Sequence, residues 1–251
     1  MRNWRSNVLH IGSPLLAIAA LSGCGSSQSP NDSSNSSVQT VAVPQNEAVS
    51  SAIALAAAAE NFEALTEQAF TAKPDELALL FAIAQESATG IAGQLDPAAA
   101  KALDGRVKDA KTAIDAGNPP DIALAAVEGY RLIVSAFSPD AKIPVAVSLL
   151  DYAGFRIQAD LKSDPKRWSD AREAGKFAQE QWGLIKDSVT DTELNKRFSD
   201  SLAKLDEYLS VKDEKMAAQA TVTELDLVDE LEGYFQPTSA INSPNNPKKG
   251  T

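Results

Sequence analysis

Two charged side chains interrupt an otherwise apolar stretch near the middle of the chain: Asp151 and Arg156, in Val145-Ala146-Val147-Ser148-Leu149-Leu150-Asp151-Tyr152-Ala153-Gly154-Phe155-Arg156. A charge in such a segment needs a partner or water, because a lone buried ion is heavily penalised. Five residues apart on a helix, the two lie about 140° around the axis and pair poorly with each other. Glu128 and Arg131, in Glu128-Gly129-Tyr130-Arg131, are three apart and can pair locally. Asp151 or Arg156 is therefore expected to meet a charge from another helix, with that group among the candidates. Two outcomes fit the residue types: ion pairs that set helix register, or a small-ligand pocket lined by Tyr130, Tyr152 and Trp182. Gly154 suits either a ligand held close to the backbone or a tight helix crossing.

A second concentration of chemistry lies near the carboxyl end, where Glu224, Asp226, Asp229, Glu230 and Glu232 put five acids within nine residues. Oxygen-only sites suit Ca²⁺ or Mg²⁺. On a helix these acids spread over more than half the circumference, so they read as a solvated face, with Asp226, Asp229 and Glu230 as weak metal candidates. Asp187-Ser188-Val189-Thr190-Asp191-Thr192-Glu193 lacks the turn glycine and closing glutamate of a calcium loop.

Rare residues exclude more than abundant ones suggest. The chain has one His, His10, and one Cys, Cys24, with no Cys-x-x-Cys-His for haem. Di-iron bundles need a Glu-x-x-His from each of two helices, zinc catalysis generally uses histidine, and serine or cysteine triads need it as base. No cofactor and no enzymatic role are expected, although Ser-Lys pairs stay open. With 23 basic and 34 acidic residues the net charge is −11, which disfavours nucleic acid and anionic membrane faces and favours basic or cationic partners.

The amino terminus carries an address. Arg2 and Arg5 precede an apolar run of about eleven residues, Ile11 to Leu21, which is too short to anchor as a membrane span. The run ends in Leu21-Ser22-Gly23-Cys24, which resembles the lipobox of bacterial lipoproteins. The resemblance covers only the first 24 residues. It implies a signal peptide over 1–23, acylation of Cys24 as the new amino terminus, and membrane attachment through lipid. Gly25 after the cysteine resembles the default for outer-membrane sorting, with the body facing the periplasm. Removing Arg2, Arg5 and no acid takes the net charge from −11 to −13, and it also removes His10. With Cys24 acylated no disulfide can form.

These features need elements to carry them. Residues 24–45 are Ser/Asn/Gln-rich with Pro30 and Pro44 and read as a flexible tether. Residues 236–251, with three prolines, read as a disordered tail. Between them, residues 46–235 show no sustained alternation of period two, so the predicted fold is all-α. Lys73-Pro74, Asp96-Pro97, Asn118-Pro119 and Asp164-Pro165 mark helix starts, and Gly117 marks a stop.

The predicted helices cover 47–72, 75–95, 97–116, 119–137, 143–162, 165–188, 191–210 and 213–235, with one bent helix as the alternative for the last two. Apolar steps of three and four recur: Leu77, Phe81, Ala84, Ala88, Ile91 and Leu95 in the second, Val147, Leu150, Gly154, Ile157 and Leu161 in the fifth. The sixth, from Trp168 through Trp182 to Val189, and the seventh, from Leu194 to Leu209, repeat them. Such seams favour neighbours crossing near 20°, an antiparallel bundle of seven to eight helices.

Similar spacings of Pro74 to Pro165 and Asp121 to Asp213 hint at two tandem four-helix units, 46–137 and 143–235. A stack of helical pairs is the rival. Helical periplasmic iron-uptake proteins of the imelysin type also pair bundles, but their His-containing motif has no counterpart here. The expected protein is thus a lipid-anchored envelope protein with a non-catalytic helical body that binds a protein partner or a small ligand. A carboxylate-based divalent-metal carrier is the alternative, and a hydrolase without recognisable motif has least support.

Overall fold

A computed structural model describes residues 44–236, with side chains described from Val49 onward. The expectations for the signal peptide, Cys24, most of the tether and nearly all of the tail lie outside these residues. The described residues form eight α-helices and no strand: α1 (Pro44–Gln68), α2 (Pro74–Ile91), α3 (Pro97–Asp115), α4 (Pro119–Val134), α5 (Val145–Lys162), α6 (Trp168–Ile185), α7 (Thr192–Val211) and α8 (Glu214–Phe235). This is an all-α helical bundle. Among the described residues no helix is long and apolar enough to cross a membrane.

Local chemistry sets most of the boundaries. Asp96 accepts from the amides of Ala98 and Ala99 at 2.9 and 3.0 Å, and proline follows it at the first helical position. Asp191 and Asp213 cap α7 and α8 in the same way, each supplying an acceptor to amides that have no partner within the helix. Gly117, at φ 60°, ends α3 in the left-handed conformation that glycine adopts without a Cβ penalty. Lys212 takes the same conformation at φ 56°, so α7 and α8 are two helices rather than one bent one. Three starts differ from expectation by more than one residue. α1 begins at Pro44 rather than 47, inside the expected tether, and α5 at Val145 rather than 143. α6 begins at Trp168, not at Pro165, and the Arg167 amide donates back to the Asp160 carbonyl at 3.1 Å instead of opening a helical turn.

The apolar seams face inward. Leu77, Phe81, Ala84, Ala88 and Ile91 are buried on α2, as are Val147, Leu150, Gly154, Ile157 and Leu161 on α5 and Leu194, Phe198, Leu202, Leu205 and Leu209 on α7. α1 packs on α2 and α4, and α3 on the same two; α5 packs on α6 and α8, and α7 on the same two. α4 against α5 joins these groups, and one continuous apolar cluster runs through both, from Leu55 to Leu231. A smaller cluster, including Ile157, Ala171, Leu205 and Ala217, fills the space among α5–α8.

Two crossings are close enough to require glycine. A methyl on Gly129 of α4 would stand 2.5 Å from Phe62 Cδ1 of α1, and one on Gly154 of α5 would stand 2.5 Å from Leu225 Cδ2 of α8. Gly105 in α3 faces open space. Gly129→Ala and Gly154→Ala should each destabilise by ~1–3 kcal/mol through overpacking, whereas Gly105→Ala should stabilise by ~0.5–1 kcal/mol through helix propensity. Urea unfolding of the three variants checks the contrast in sign.

Candidate functional site

Glu128 is the centre of the polar chemistry, 17 % exposed where α4 passes α5. Arg131, one turn along α4, donates from Nε to Glu128 Oε2 at 3.1 Å. From α5, the Tyr152 hydroxyl donates to Oε1 at 2.8 Å, and Arg156 Nη1 pairs with the same oxygen. The pair between Arg156 and Glu128 meets the expectation that a charge on the apolar fifth helix finds one on another helix. Arg156 extends the network further: its Nε donates to Asp160 Oδ2 at 3.0 Å, and its Nη2 stands 3.7 Å from Asp170 on α6. One guanidinium thus faces carboxylates from three helices. The Arg131 guanidinium lies 5.8 Å from the centre of the Tyr152 ring, and that ring meets Phe177 of α6 edge to face at 5.6 Å.

Burial and charge move the ionisation of these groups in opposite directions. Burial works against ionised Glu128, but the Tyr152 hydrogen bond and the Arg131 and Arg156 charges outweigh it and hold the carboxyl below its ordinary value. Burial and the neighbouring Glu128 push the Tyr152 hydroxyl up to about 12. Asp160 is wholly buried, and its Oδ1 has no hydrogen-bond donor. Burial raises its carboxyl to about 6; Arg156 and Arg167 oppose the rise, and Asp170 adds to it.

Two clefts open on either side of the Glu128–Arg156 pair, which walls both. One, of about 350 Å³, lies among α4, α5 and α6, with Arg131, Tyr152, Asp170, Glu173 and Phe177 around it. The other, of about 370 Å³, lies among α3, α4 and the entry to α6, and there Arg106, Asp109, Asp121 and Arg167 supply the charges. Arg167 Nη2 bonds Asp121 Oδ1 at 2.6 Å across that second cleft. Such a lattice of guanidinium and carboxylate groups can bind and orient a charged or polar ligand.

The sequence-derived candidates separate into two places. Glu128, Arg131, Tyr152 and Arg156 come together at the clefts. Asp151 points elsewhere: it is buried near Tyr130, whose hydroxyl is driven well above its ordinary value by burial first and by Asp151, Glu63 and Glu232 after it. Trp182 packs on Phe198 with ring centres 4.5 Å apart and donates to Ser199 Oγ at 3.0 Å, so it belongs to the α6–α7 contact. Phe177, not Trp182 or Tyr130, is the second aromatic wall of the cleft. The acids of the final helix diverge. Glu224 is buried, Asp226 and Asp229 are exposed, and Glu230 forms a two-point ion pair with Arg197. Among the described residues no three His, Cys, Asp or Glu side chains gather as a metal site.

Asp160, Asp170, Glu173 and Phe177 were not foreseen. Asp160 was legible in principle, four residues after Arg156 and so on its face of the helix. The α6 residues enter only because α6 folds back across α5. Family models, curated proteins and solved structures were all compared with the chain, and none matches it.

The Asp160 carboxyl gives a pH signature. Its value rises on folding from the ordinary 3.8 to about 6, so the folded state holds the proton more tightly. Stability from this group is full below pH ~4 and is lost as pH rises through ~6, by at most roughly 3 kcal/mol. Glu128, held below its ordinary 4.5, opposes this only at lower pH. Between pH 7 and pH 5 the wild type should therefore gain in melting temperature, and Asp160→Asn should flatten that gain, as scanning calorimetry at the two pH values will show.

Proposed function

We propose that this chain is a lipid-anchored protein of the bacterial outer membrane whose helical body, facing the periplasm, is a binding module rather than a catalyst, docking its ligand at the clefts around Glu128 and Arg156. The observation that carries the binding reading is the shared wall: a partly buried ion pair between α4 and α5 borders two clefts each of the size small ligands occupy. The anchoring reading is supported by Leu21-Ser22-Gly23-Cys24 behind a basic start and a short apolar run. In this reading residues 24–43 form a tether with a reach of roughly 25 Å, which lets the body stand clear of the lipid headgroups.

Metabolic labelling with radioactive palmitate should mark the wild type and not Cys24→Ala, and the variant should move from the particulate to the soluble fraction. Equal labelling of both overturns the anchor. For binding, the mature protein is screened by thermal shift against organic amines, basic peptides, dicarboxylates and neutral sugars. A saturable rise in melting temperature with one class supports a binding module; no shift with any class overturns it.

A further inference from the structure

Taking the cleft among α4, α5 and α6 as the docking point, we propose that its ligand is an organic cation, an ammonium or guanidinium on a short apolar arm, with Asp170 and Glu173 as its counter-ions and Phe177 as the wall for the arm. The argument is a local shortage of positive charge. Glu128, Asp170 and Glu173 line this cleft against Arg131 and Arg156. Three carboxylates therefore share two guanidiniums.

Both guanidiniums are already committed to Glu128, and Arg156 also to Asp160. Asp170 is left with Arg156 Nη2 at 3.7 Å, beyond hydrogen-bond range. Among the described residues no side chain donates a hydrogen bond to Asp170 or Glu173. A cation seated between the two α6 acids would supply the missing charge and donors.

The shortage is not a reflection of overall acidity. In the neighbouring cleft Arg106, Arg156 and Arg167 balance Asp109, Asp121 and Glu128, with Arg106 3.1 Å from Asp109 and Arg167 2.6 Å from Asp121. That cleft asks for no further charge of either sign. An anion entering the first cleft would face Asp170 and Glu173 and would have to displace Glu128 to reach a guanidinium.

The apolar side of the site is equally specific. Arg131 lies over the Tyr152 ring, whereas Phe177, half-buried on α6, lines the cleft on the same helix as the two acids. An ammonium beside Asp170 and Glu173 would lay its carbon arm against that ring and could also gain from the ring face. Such a group belongs equally to a free amine and to a Lys or Arg side chain of a basic partner.

Isothermal titration of the full mature protein in detergent, at pH 7.5 and 150 mM salt, distinguishes these. The probes are agmatine, butane-1,4-diamine, a tetralysine peptide, succinate and a neutral disaccharide. Agmatine or the diamine should bind with one-to-one stoichiometry. Asp170→Asn combined with Glu173→Gln should weaken that binding at least tenfold, while Glu180→Gln, exposed on α6 outside both clefts, should change it less than twofold. Asp170 is nearly half exposed and Glu173 is exposed, so the double variant should keep its melting temperature within a few degrees. Tetralysine binding without binding of the small amines also supports the cation and assigns it to a protein partner. Amine binding unchanged in the double variant overturns the site. Silence from every amine while succinate or the disaccharide binds overturns the cation but leaves the binding module standing; silence from all five overturns both.

Discussion

A single carboxylate sets the polar architecture of this protein. Glu128 sits where α4 passes α5, and three donors from those two helices converge on it. Arg156 needs that carboxylate. Its helix packs on α4, α6 and α8, so a guanidinium projecting from it has little water of its own. Breaking a partly buried pair of this kind leaves a charge without compensation, which costs more than the intact pair contributes. The same guanidinium reaches Asp160 on its own helix and approaches Asp170 on α6, so the register of three helices is coupled through one side chain.

Around that point the bundle is built for closeness. At Gly129 and Gly154 no side chain separates α4 from Phe62 of α1 or α5 from Leu225 of α8. These crossings hold α4 and α5 into their respective neighbours. On α5 two charges go to different places: Asp151 into the buried region near Tyr130, Arg156 toward the clefts. The 140° between them, read first as a reason for them not to pair, is what distributes them to separate environments.

The proposed function joins these features to the ends of the chain. On the proposed reading, a body held by lipid needs no basic face to stay near a membrane, which is compatible with an acidic surface. The cleft that lacks positive charge and the chain that lacks it overall share a sign, but the neighbouring balanced cleft shows that the arrangement of individual side chains, not composition, decides what each cavity can accept.

Much of this was legible from residue order. Asp96, Asn118, Asp191 and Asp213 before helix starts, the left-handed Gly117, and the three-and-four steps of Leu, Phe, Ala and Gly are local signals, acting within one turn of chain, and they determined the helices and their inward faces. The demand that Arg156 find an acid on another helix was also present, because an apolar helix cannot leave a charge unanswered. Which acid answered was a tertiary decision. Phe177 rather than Trp182 lines the cleft, and Asp170 with Glu173 faces Arg156, because the path between α5 and α6 brings that face of α6 across α5; helical periodicity names the faces of a helix but not the neighbour each will meet.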